Sequence, residues 1–176
     1  MPRPSDTRER IQAVARELFA EKGVQRTSLQ DIAARLGITK PALYYHFSSR
    51  EELVRSILQP FVDEGEAFIR RYETTARFDK RELLEEYFDL QYRYRDDLAF
   101  VLTEVAAWTD LVQVVIGWRE RLTTLLVGPR PSLARAARAV MVLGGLQDCT
   151  VQLADAPPAR LRRAAVDAAC TTLGIG

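Results

Sequence analysis

The sequence predicts an all-α protein, and three observations support this fold class. Apolar residues recur at helical spacing along the chain, no segment alternates as a β-strand does, and Gly or Pro separates the helical segments. The chain has 176 residues, of which 47% are hydrophobic and 28% are charged, so it can bury a core. We expect about nine helices, in a three-helix N-terminal domain at residues 1–50 and a helical bundle at residues 51–176.

The first two helices have clear sequence signals at their ends. Residues 6–23 carry apolar side chains on one face, and Gly23 ends this helix. Ser28 and Asp31 form a capping-box pattern that begins a second helix, which Gly37 ends after a few turns.

A third short helix is predicted from Thr39, its capping residue, to about Phe47. Pro41 is tolerated in the first turn because the amide it lacks would have no partner within the helix. The second and third helices, separated only by Gly37 and Ile38, have the dimensions of a helix-turn-helix.

A fourth, long helix is predicted after Ser49, with Ser49 and Glu52 as a second capping box and apolar residues at helical spacing up to Tyr72. Pro60 lies inside it and removes the hydrogen bond to the carbonyl of Ser56, which predicts a kink.

Further helices are predicted up to the C-terminus. Three of them cover residues 79–95, 97–107 and 109–127, with caps available at Asp79, Asp97 and Thr109. The segment Gly128-Pro129-Arg130-Pro131 breaks the chain before the eighth helix, and Ala156-Pro157-Pro158 breaks it before the ninth.

The N-terminal fifty residues are basic. They hold nine Lys and Arg against five Asp and Glu, whereas the remainder holds 16 against 19. This asymmetry favours a polyanionic partner for the N-terminal domain.

The third helix offers side chains suited to DNA. Its inward residues are Ile38, Leu43 and Phe47, and its outer face and margins carry Thr39, Lys40, Pro41, Ala42, Tyr44, Tyr45 and His46. A lysine can bind phosphate or guanine, hydroxyls can bind phosphate oxygens, and Pro41 or Ala42 can meet a thymine methyl group. The alternative is an ordinary helical hairpin with a solvated face.

Catalysis is not expected, and no metal or cofactor is predicted. The single histidine, His46, has no serine or cysteine nucleophile near it in sequence, and one histidine with two cysteines does not make a zinc site. A small helical enzyme remains an alternative, which loss of turnover on substituting Glu104 or His46 would reveal.

The sequence predicts a cytoplasmic protein that does not cross a membrane. Its longest apolar run, residues 139–146, is far shorter than the roughly 18 residues of a spanning helix, and the N-terminus does not resemble a signal peptide. Cys149 and Cys170 are expected to be free thiols in the core.

Five segments of the N-terminal part resemble the tetracycline-repressor (TetR) family of transcriptional regulators: TRERI at 7–11, ARELFAEKG at 15–23, TSLQDIA at 27–33, LG at 36–37 and LYYHF at 43–47. The resemblance covers about the first 60 residues. It implies that the third helix enters the major groove of DNA, while Ser28, Gln30 and Arg50 hold the DNA backbone.

The resemblance further implies a C-terminal domain for effector binding and dimerisation, in which the last two helices pair with their copies. Small or apolar residues that suit this contact are Val140, Gly144, Gly145, Ala165, Ala168 and Ala169. An interface within the chain is the alternative.

Aromatic residues in the second domain exceed what a small core needs, so some are expected to line a cavity. The candidates are Phe68, Tyr72, Phe88, Tyr92, Phe100, Trp108 and Trp118, with Glu104 and Gln147 as polar groups in apolar surroundings. They predict a mostly apolar effector with a cationic or hydrogen-bonding group near Glu104.

The sequence thus predicts a homodimeric, ligand-responsive regulator, most often a repressor in this family, which binds a palindromic double-stranded operator and is released by a small apolar or aromatic effector. The fourth helix is expected to act as the lever between effector and DNA. An alternative is a helical protein that sequesters small molecules and no longer represses, but intact Lys40 and Tyr44 argue against it.

Overall fold

The computed structural model describes the backbone of residues 4–102 and 109–175, and the side chains of residues 6–99 and 113–175. All regular secondary structure in these ranges is helical, which confirms the all-α fold class. The helices are α1 (Pro4–Lys22), α2 (Leu29–Leu36), α3 (Lys40–His46), α4 (Arg50–Thr74), α5 (Lys80–Arg93), α6 (Arg95–Leu102), α7 (Thr109–Val127), α8 (Leu133–Gln152) and α9 (Pro158–Leu173). Within the described ranges, no helix has the length and apolar character needed to cross a membrane.

The predicted caps of α2 and α3 are present. The Ser28 hydroxyl accepts the amide of Asp31 at 3.1 Å, and the Asp31 carboxylate accepts the amide of Ser28 at 2.8 Å. The Thr39 hydroxyl accepts the amide of Ala42 at 3.3 Å. These short helices therefore begin where local side-chain chemistry places them.

The cap of α4 differs from the predicted box by one residue. Ser49 Oγ accepts the amide of Glu52 at 3.1 Å, as expected. The Glu52 carboxylate, however, accepts the amide and hydroxyl of Ser48, at 2.8 and 2.6 Å. The two hydrogen bonds of the capping box are thus divided between two adjacent serines, Ser49 as the acceptor and Ser48 as the donor.

The start of α6 also differs from the prediction. The helix begins at Arg95, two residues before Asp97, the expected cap. The Asp97 carboxylate instead accepts the guanidinium of Arg16 on α1, with an Nε–Oδ1 distance of 2.7 Å. The Asp97 carboxylate, which the local sequence pattern predicted to cap a helix, therefore forms an ion pair with a residue distant in sequence.

Helix α4 is continuous through Pro60. Because proline has no N–H, the carbonyl of Ser56 lacks its usual partner within the helix. Gln12 Nε2 on α1 lies 3.3 Å from that carbonyl oxygen and 2.9 Å from Ser56 Oγ. The side-chain amide of Gln12 therefore donates to the Ser56 carbonyl that Pro60 leaves without a partner. The expected kink stays a prediction.

The chain divides into two compact units. The first unit comprises the residues up to Pro60 together with the segment that begins at Asp97. Its core contains fully buried side chains from all four of its N-terminal helices: Ile11, Phe19, Ile32, Leu43, Phe47, Leu53 and Ile57. The unit extends past residue 50, the expected domain boundary, because the first half of α4 shares this core.

The second unit comprises Phe61–Asp96 together with α7, α8 and α9. Helix α5 runs opposite to α9, since Arg81 pairs with Asp167 and Arg162 pairs with Asp89. Its buried core includes Phe61, Leu83, Leu84, Phe88, Leu122, Leu143 and Val166. This unit supplies a helical bundle of the kind expected for the C-terminal part.

Candidate functional site

A tight turn fixes α3 against α2 in the first unit. Gly37 adopts a left-handed conformation with φ of 67°, which a side chain would strain. Its amide donates to the carbonyl of Ala34 at 3.2 Å, and the amide of Ile38 donates to Ala33 at 3.1 Å. Leu43 on the inner face of α3 is fully buried, so the opposite face of the helix is directed outward.

The outer face of α3 is aromatic and basic. Six of its predicted residues are exposed, Thr39, Lys40, Pro41, Ala42, Tyr44 and Tyr45, while His46 is half-buried. Tyr45 is 84% exposed, and the Lys40 ammonium lies 5.6 Å from the centroid of the Tyr44 ring. Apolar rings left in solvent beside a cation provide a surface that a polyanion with stacked bases can bind.

A cleft beside α3 brings together residues from three helices. Its lining residues are Thr27, Ser28, Leu29, Gln30, Lys40, Tyr44, Ser48, Ser49, Arg50 and Glu51. Half of these were predicted from the sequence to meet DNA. The first turns of α2 and α4 border the same cleft, and amides in a first helical turn have no acceptor within the helix.

Two predicted backbone contacts, Ser28 and Arg50, are already engaged in the protein. The Ser28 amide and the Ser28 hydroxyl both donate to the Asp31 carboxylate at 2.8 Å. These two hydrogen bonds, together with the one from Lys22, lower the pKa of Asp31 to about 2. Arg50 donates to the carbonyls of Val24 and Gln25, at 3.2 and 3.0 Å. Both side chains therefore help to shape the cleft, and their contacts with the DNA backbone stay a prediction.

Arg8 is a further residue of this region, which the sequence analysis missed. Its Nη1 donates to the carbonyl of His46 at 2.8 Å, and its guanidinium lies 4.2 Å from the centroid of the Phe47 ring. Arg8 thereby holds the C-terminal end of α3. No local pattern connects residues this far apart in sequence, so no sequence signal indicated this contact.

The aromatic residues predicted for an effector cavity are mostly buried in the second unit. Phe68, Tyr72, Phe88 and Trp118 are each less than 10% exposed, and Tyr92 is half-buried. Ring contacts join Phe68 to Tyr72, Phe88 to Tyr92, and Trp118 to Phe61, with centroid distances of 5.3, 5.8 and 5.2 Å. The side chains of Phe100, Glu104 and Trp108 lie outside the described residues.

Trp118 is closely packed against α4. A Cβ atom built on Gly65 would lie 2.6 and 2.8 Å from Cζ3 and Cζ2 of the Trp118 ring, and closer still to Cη2. The indole N–H donates to Glu66 at 3.3 Å, and hydrogen bonding from Arg121 is the main reason that the pKa of Glu66 falls to about 2. Trp118 therefore fills the space above Gly65.

Gln147, a polar residue in an apolar helix, faces inward. It is 7% exposed, and its Oε1 accepts Arg119 Nη2 at 2.8 Å. Its neighbour Asp148 is exposed. Arg119 was not among the residues singled out from the sequence.

The residues predicted for dimerisation divide between the surface and the interior of the chain. Val140, Gly145 and Ala168 are exposed and Gly144 is half-buried, whereas Ala165 and Ala169 are buried. A Cβ atom on Gly144 or Gly145 would meet no atom of the chain within 4 Å. The two glycines therefore create no close packing within the described chain, and they lie on α8 where Gly145 borders an apolar groove shared with α9.

Comparison with known proteins places these features in a family. Residues 11–57 match the family described as "Bacterial regulatory proteins, tetR family". The transcriptional repressor KstR2 of Rhodococcus jostii (strain RHA1) is 34% identical over 122 residues, which cover 69% of this chain and 57% of KstR2. The transcriptional activator FasR of Mycolicibacterium smegmatis is 36% identical over 92 residues, which cover 51% of this chain and 42% of FasR.

The likeness in fold extends over nearly the whole chain. A transcriptional regulator from Aquifex aeolicus VF5 superimposes with a TM-score of 0.74 at 25% identity, over 92% of this chain and 96% of that one. The sequence matches, in contrast, span about half the length of the curated relatives. From the matched helix-turn-helix segment, these relatives and the shared fold, we conclude that the chain belongs to the TetR family of bacterial regulatory proteins.

Proposed function

We propose that this chain is a DNA-binding transcriptional regulator that reads a double-stranded operator with α3. The observation that carries the proposal is the exposed face of α3, where Lys40, Tyr44 and Tyr45 stand in solvent beside the cleft. The major groove of B-DNA is about 12 Å wide and admits an α-helix. The basic charge of the N-terminal fifty residues favours the same partner.

Each group on this face has a defined part in the proposal. Lys40 binds guanine or phosphate, the hydroxyls of Thr39, Tyr44 and Tyr45 bind phosphate oxygens, and Pro41 or Ala42 packs on a thymine methyl group. His46 lies at the margin of the face. Ser28 and Gln30 from α2 and Arg50 from α4 hold the DNA backbone, while Ser28 and Arg50 also keep the shape of the cleft through the hydrogen bonds described above.

The test is operator affinity measured by fluorescence anisotropy, with a duplex selected by the wild-type protein. A good base contact contributes about 1–3 kcal/mol, so we expect Lys40→Ala combined with Tyr44→Ala to weaken binding by at least tenfold. Lys80→Ala removes the same charge from α5 in the second unit and is the matched control, which should bind as the wild type does. Unchanged affinity of the double variant would show that α3 does not read the operator.

We also propose that the protein acts as a homodimer through α8 and α9. The support is an apolar surface on α8, where Met141 is 69% exposed and Val140 is 54% exposed, next to the groove lined by Gly145 and Ala168. Burial of such a surface stabilises a symmetric pair. Two-fold symmetry then requires a roughly palindromic operator with half-sites about 34–36 Å apart, or a multiple of that spacing.

Gly144 offers a clean test of the dimer. Because a Cβ atom built at this position has no described atom within 4 Å beyond its own stretch of helix, Gly144→Leu should leave the protomer folded and obstruct the pairing of α8. Sedimentation velocity at micromolar concentration should show a dimer for the wild type and for Gly144→Ala, and dissociation for Gly144→Leu. A monomeric wild type, with and without DNA, would refute the dimer.

The third part of the proposal is release from DNA by a small, mostly apolar effector bound in the second unit. The support is its aromatic content and the buried polar side chain of Gln147. The effector must bind the released state more tightly than the DNA-bound state, because equal affinity for both shifts no population. Helix α4 continues from the first unit into the second and is proposed to couple the two events.

We propose repression as the output, as the name of the relative KstR2 states for that protein, although the relative FasR is named an activator. A reporter gene placed behind the selected operator distinguishes the two outputs. Expression should rise when the gene for this chain is deleted; a fall would establish activation.

A further inference from the structure

Three buried polar side chains of the second unit and the half-buried Arg119 lie on neighbouring helices, and the proposed function assigns them no common role. Tyr87 and Gln91 lie one turn apart on α5, Arg119 lies on α7 and Gln147 on α8. Tyr87 and Gln91 are each 3% exposed, and Gln147 is 7% exposed. Polar groups are costly to bury unless they are hydrogen-bonded, so their presence in a helical core calls for a physical reason.

Hydrogen bonds connect the three helices at this place. The Tyr87 hydroxyl donates to the carbonyl of Leu143 on α8 at 3.4 Å. Gln147, one turn after Leu143, accepts Arg119 Nη2 at 2.8 Å. Burial raises the pKa of Tyr87 to about 12 and the nearby guanidinium of Arg119 opposes that rise, so both side chains belong to one electrostatic environment.

Two atoms of the cluster are left without a partner. Arg119 Nε and Gln91 Oε1 are both inaccessible to solvent and make no hydrogen bond. A buried donor or acceptor that lacks a partner costs the full loss of its hydration. The cluster is therefore incomplete as it stands, with an unused donor on a cation and an unused acceptor one turn beyond Tyr87.

Arg119 has no described acidic partner, in contrast to two other partly buried arginines of the second unit, Arg121 and Arg162. Arg121 pairs with Glu66 and Glu73, and Arg162 pairs with Glu85 and Asp89. No described carboxylate lies within ion-pair distance of Arg119, whose partner is the neutral amide of Gln147. Its guanidinium thus forms no ion pair with a described carboxylate, and the exposed carboxylate of Asp148 acts electrostatically on the same Tyr87.

We infer that Arg119 is the recognition group for an acidic effector, a small apolar molecule that bears a carboxylate. This inference rests on the proposed effector function and names the ligand class. A carboxylate can accept from Nε and from the neighbouring Nη group at once, because the guanidinium presents its donors as a planar fork.

The rest of the ligand must be apolar. The neighbouring turns of α5 and α8 bury Leu84, Phe88, Leu143 and Leu146, none of which is more than 2% exposed. A ligand group that enters beside Arg119 would therefore be surrounded by apolar side chains, and an amine would add a second positive charge there. An apolar acid satisfies both features of the site.

The probes are decanoate and 4-phenylbutyrate, each compared with its amide and with the amine of the same skeleton, and inorganic phosphate alone. Affinity for the full-length chain is measured by tryptophan fluorescence titration and by the shift of the melting temperature. Charged hydrogen bonds are about twice as strong as neutral ones, so we expect at least one acid to bind tenfold or more tightly than its amide. The amines and phosphate should bind more weakly than that acid.

Variants assign the preference to Arg119. Arg119→Met should reduce the affinity for the acid to that for the amide, whereas Arg119→Lys, which keeps the charge without the fork, should retain part of the preference. Arg130→Met, at an exposed arginine between α7 and α8, is the matched control. If Arg119→Met unfolds, Arg119→Lys carries the test through its loss of bidentate binding.

The inference is overturned if acid and amide bind equally, if none of the probes binds, or if Arg119→Met keeps the preference for the acid. Because these titrations contain no DNA, a negative result in them is distinct from a failure of the proposed DNA binding. A chain that binds an acid but no operator would refute the proposed function, and a chain released from its operator only by neutral or cationic compounds would refute the role of Arg119.

Discussion

The close contact between Gly65 on α4 and Trp118 on α7 provides a sharp test of packing in the second unit. A methyl group added by Gly65→Ala would meet three atoms of a ring that is 4% exposed. The ring also packs edge-on against Phe61, with centroids 5.2 Å apart, so it cannot move without disturbing the core. Overpacking of this kind costs about 1–3 kcal/mol.

Helix propensity acts in the opposite direction, because alanine is favoured over glycine inside a helix by about 1 kcal/mol. The expected net loss is therefore about 0–2 kcal/mol, and for a chain of this size each kcal/mol lowers the melting temperature by roughly 2–4 °C. Gly117→Ala is the matched control, since a Cβ there meets nothing within 4 Å and should raise the melting temperature.

Thermal denaturation followed by circular dichroism measures both variants. The difference between Gly65→Ala and Gly117→Ala removes the propensity contribution and leaves the cost of the clash. Trp118→Leu should reduce that cost in the double variant, because the smaller side chain leaves room for the methyl group. Equal shifts of the same sign for the two alanine variants would refute the packing of Trp118 on Gly65, and would place the ring where an effector could reach it.

Three further predictions concern stability. Gln12→Ala should cost about 0.5–1.5 kcal/mol by leaving the Ser56 carbonyl unpaired, and should cost less in a Pro60→Ala background, where an amide is restored; additive denaturant midpoints would contradict this. Ser28→Ala should cost about 1 kcal/mol in urea unfolding by removing the cap of α2, and an unchanged midpoint would contradict the cap. Because the pKa of Glu66 is lowered from 4.5 to about 2, its ion pairs stabilise the folded state above pH 4.5 and this contribution is lost as the pH falls towards 2. Glu66→Gln should reduce the change of unfolding free energy with pH over that interval. The same pH dependence in the wild type and the variant, measured by urea unfolding, would contradict the stabilising role of the Glu66 ion pairs.

Helix positions in the first unit could be predicted because their signals are local. Ser28, Asp31, Thr39 and Gly37 act within a few residues of themselves, through caps and a left-handed turn. The same locality fixed the outer face of α3, since burial of Leu43 determines which side chains face solvent. The exposed residues of the candidate interface were therefore accessible to sequence reasoning.

Contacts between distant residues were not accessible in this way. Arg8 donates to the carbonyl of His46, and Arg119 donates to Gln147. The spacing of apolar residues within a helix does not specify which helices pack together, so it could not indicate these contacts. The sequence offered Trp118 as one of several aromatic residues that could line a cavity, but it did not show that the ring would pack on Gly65. Arg50 was assigned to DNA by resemblance, and no sequence pattern indicated that its Nη1 donates to the carbonyls of Val24 and Gln25.

The most direct test of the central claim, that α3 reads DNA, is in vitro selection from a random double-stranded library. Wild-type protein and Lys80→Ala should each enrich the same inverted repeat, because the substitution at Lys80 leaves the exposed face of α3 unaltered. Lys40→Ala combined with Tyr44→Ala should enrich no such sequence under the same salt conditions. Failure of the wild type to enrich any sequence, or enrichment of the same repeat by the double variant, would contradict the account.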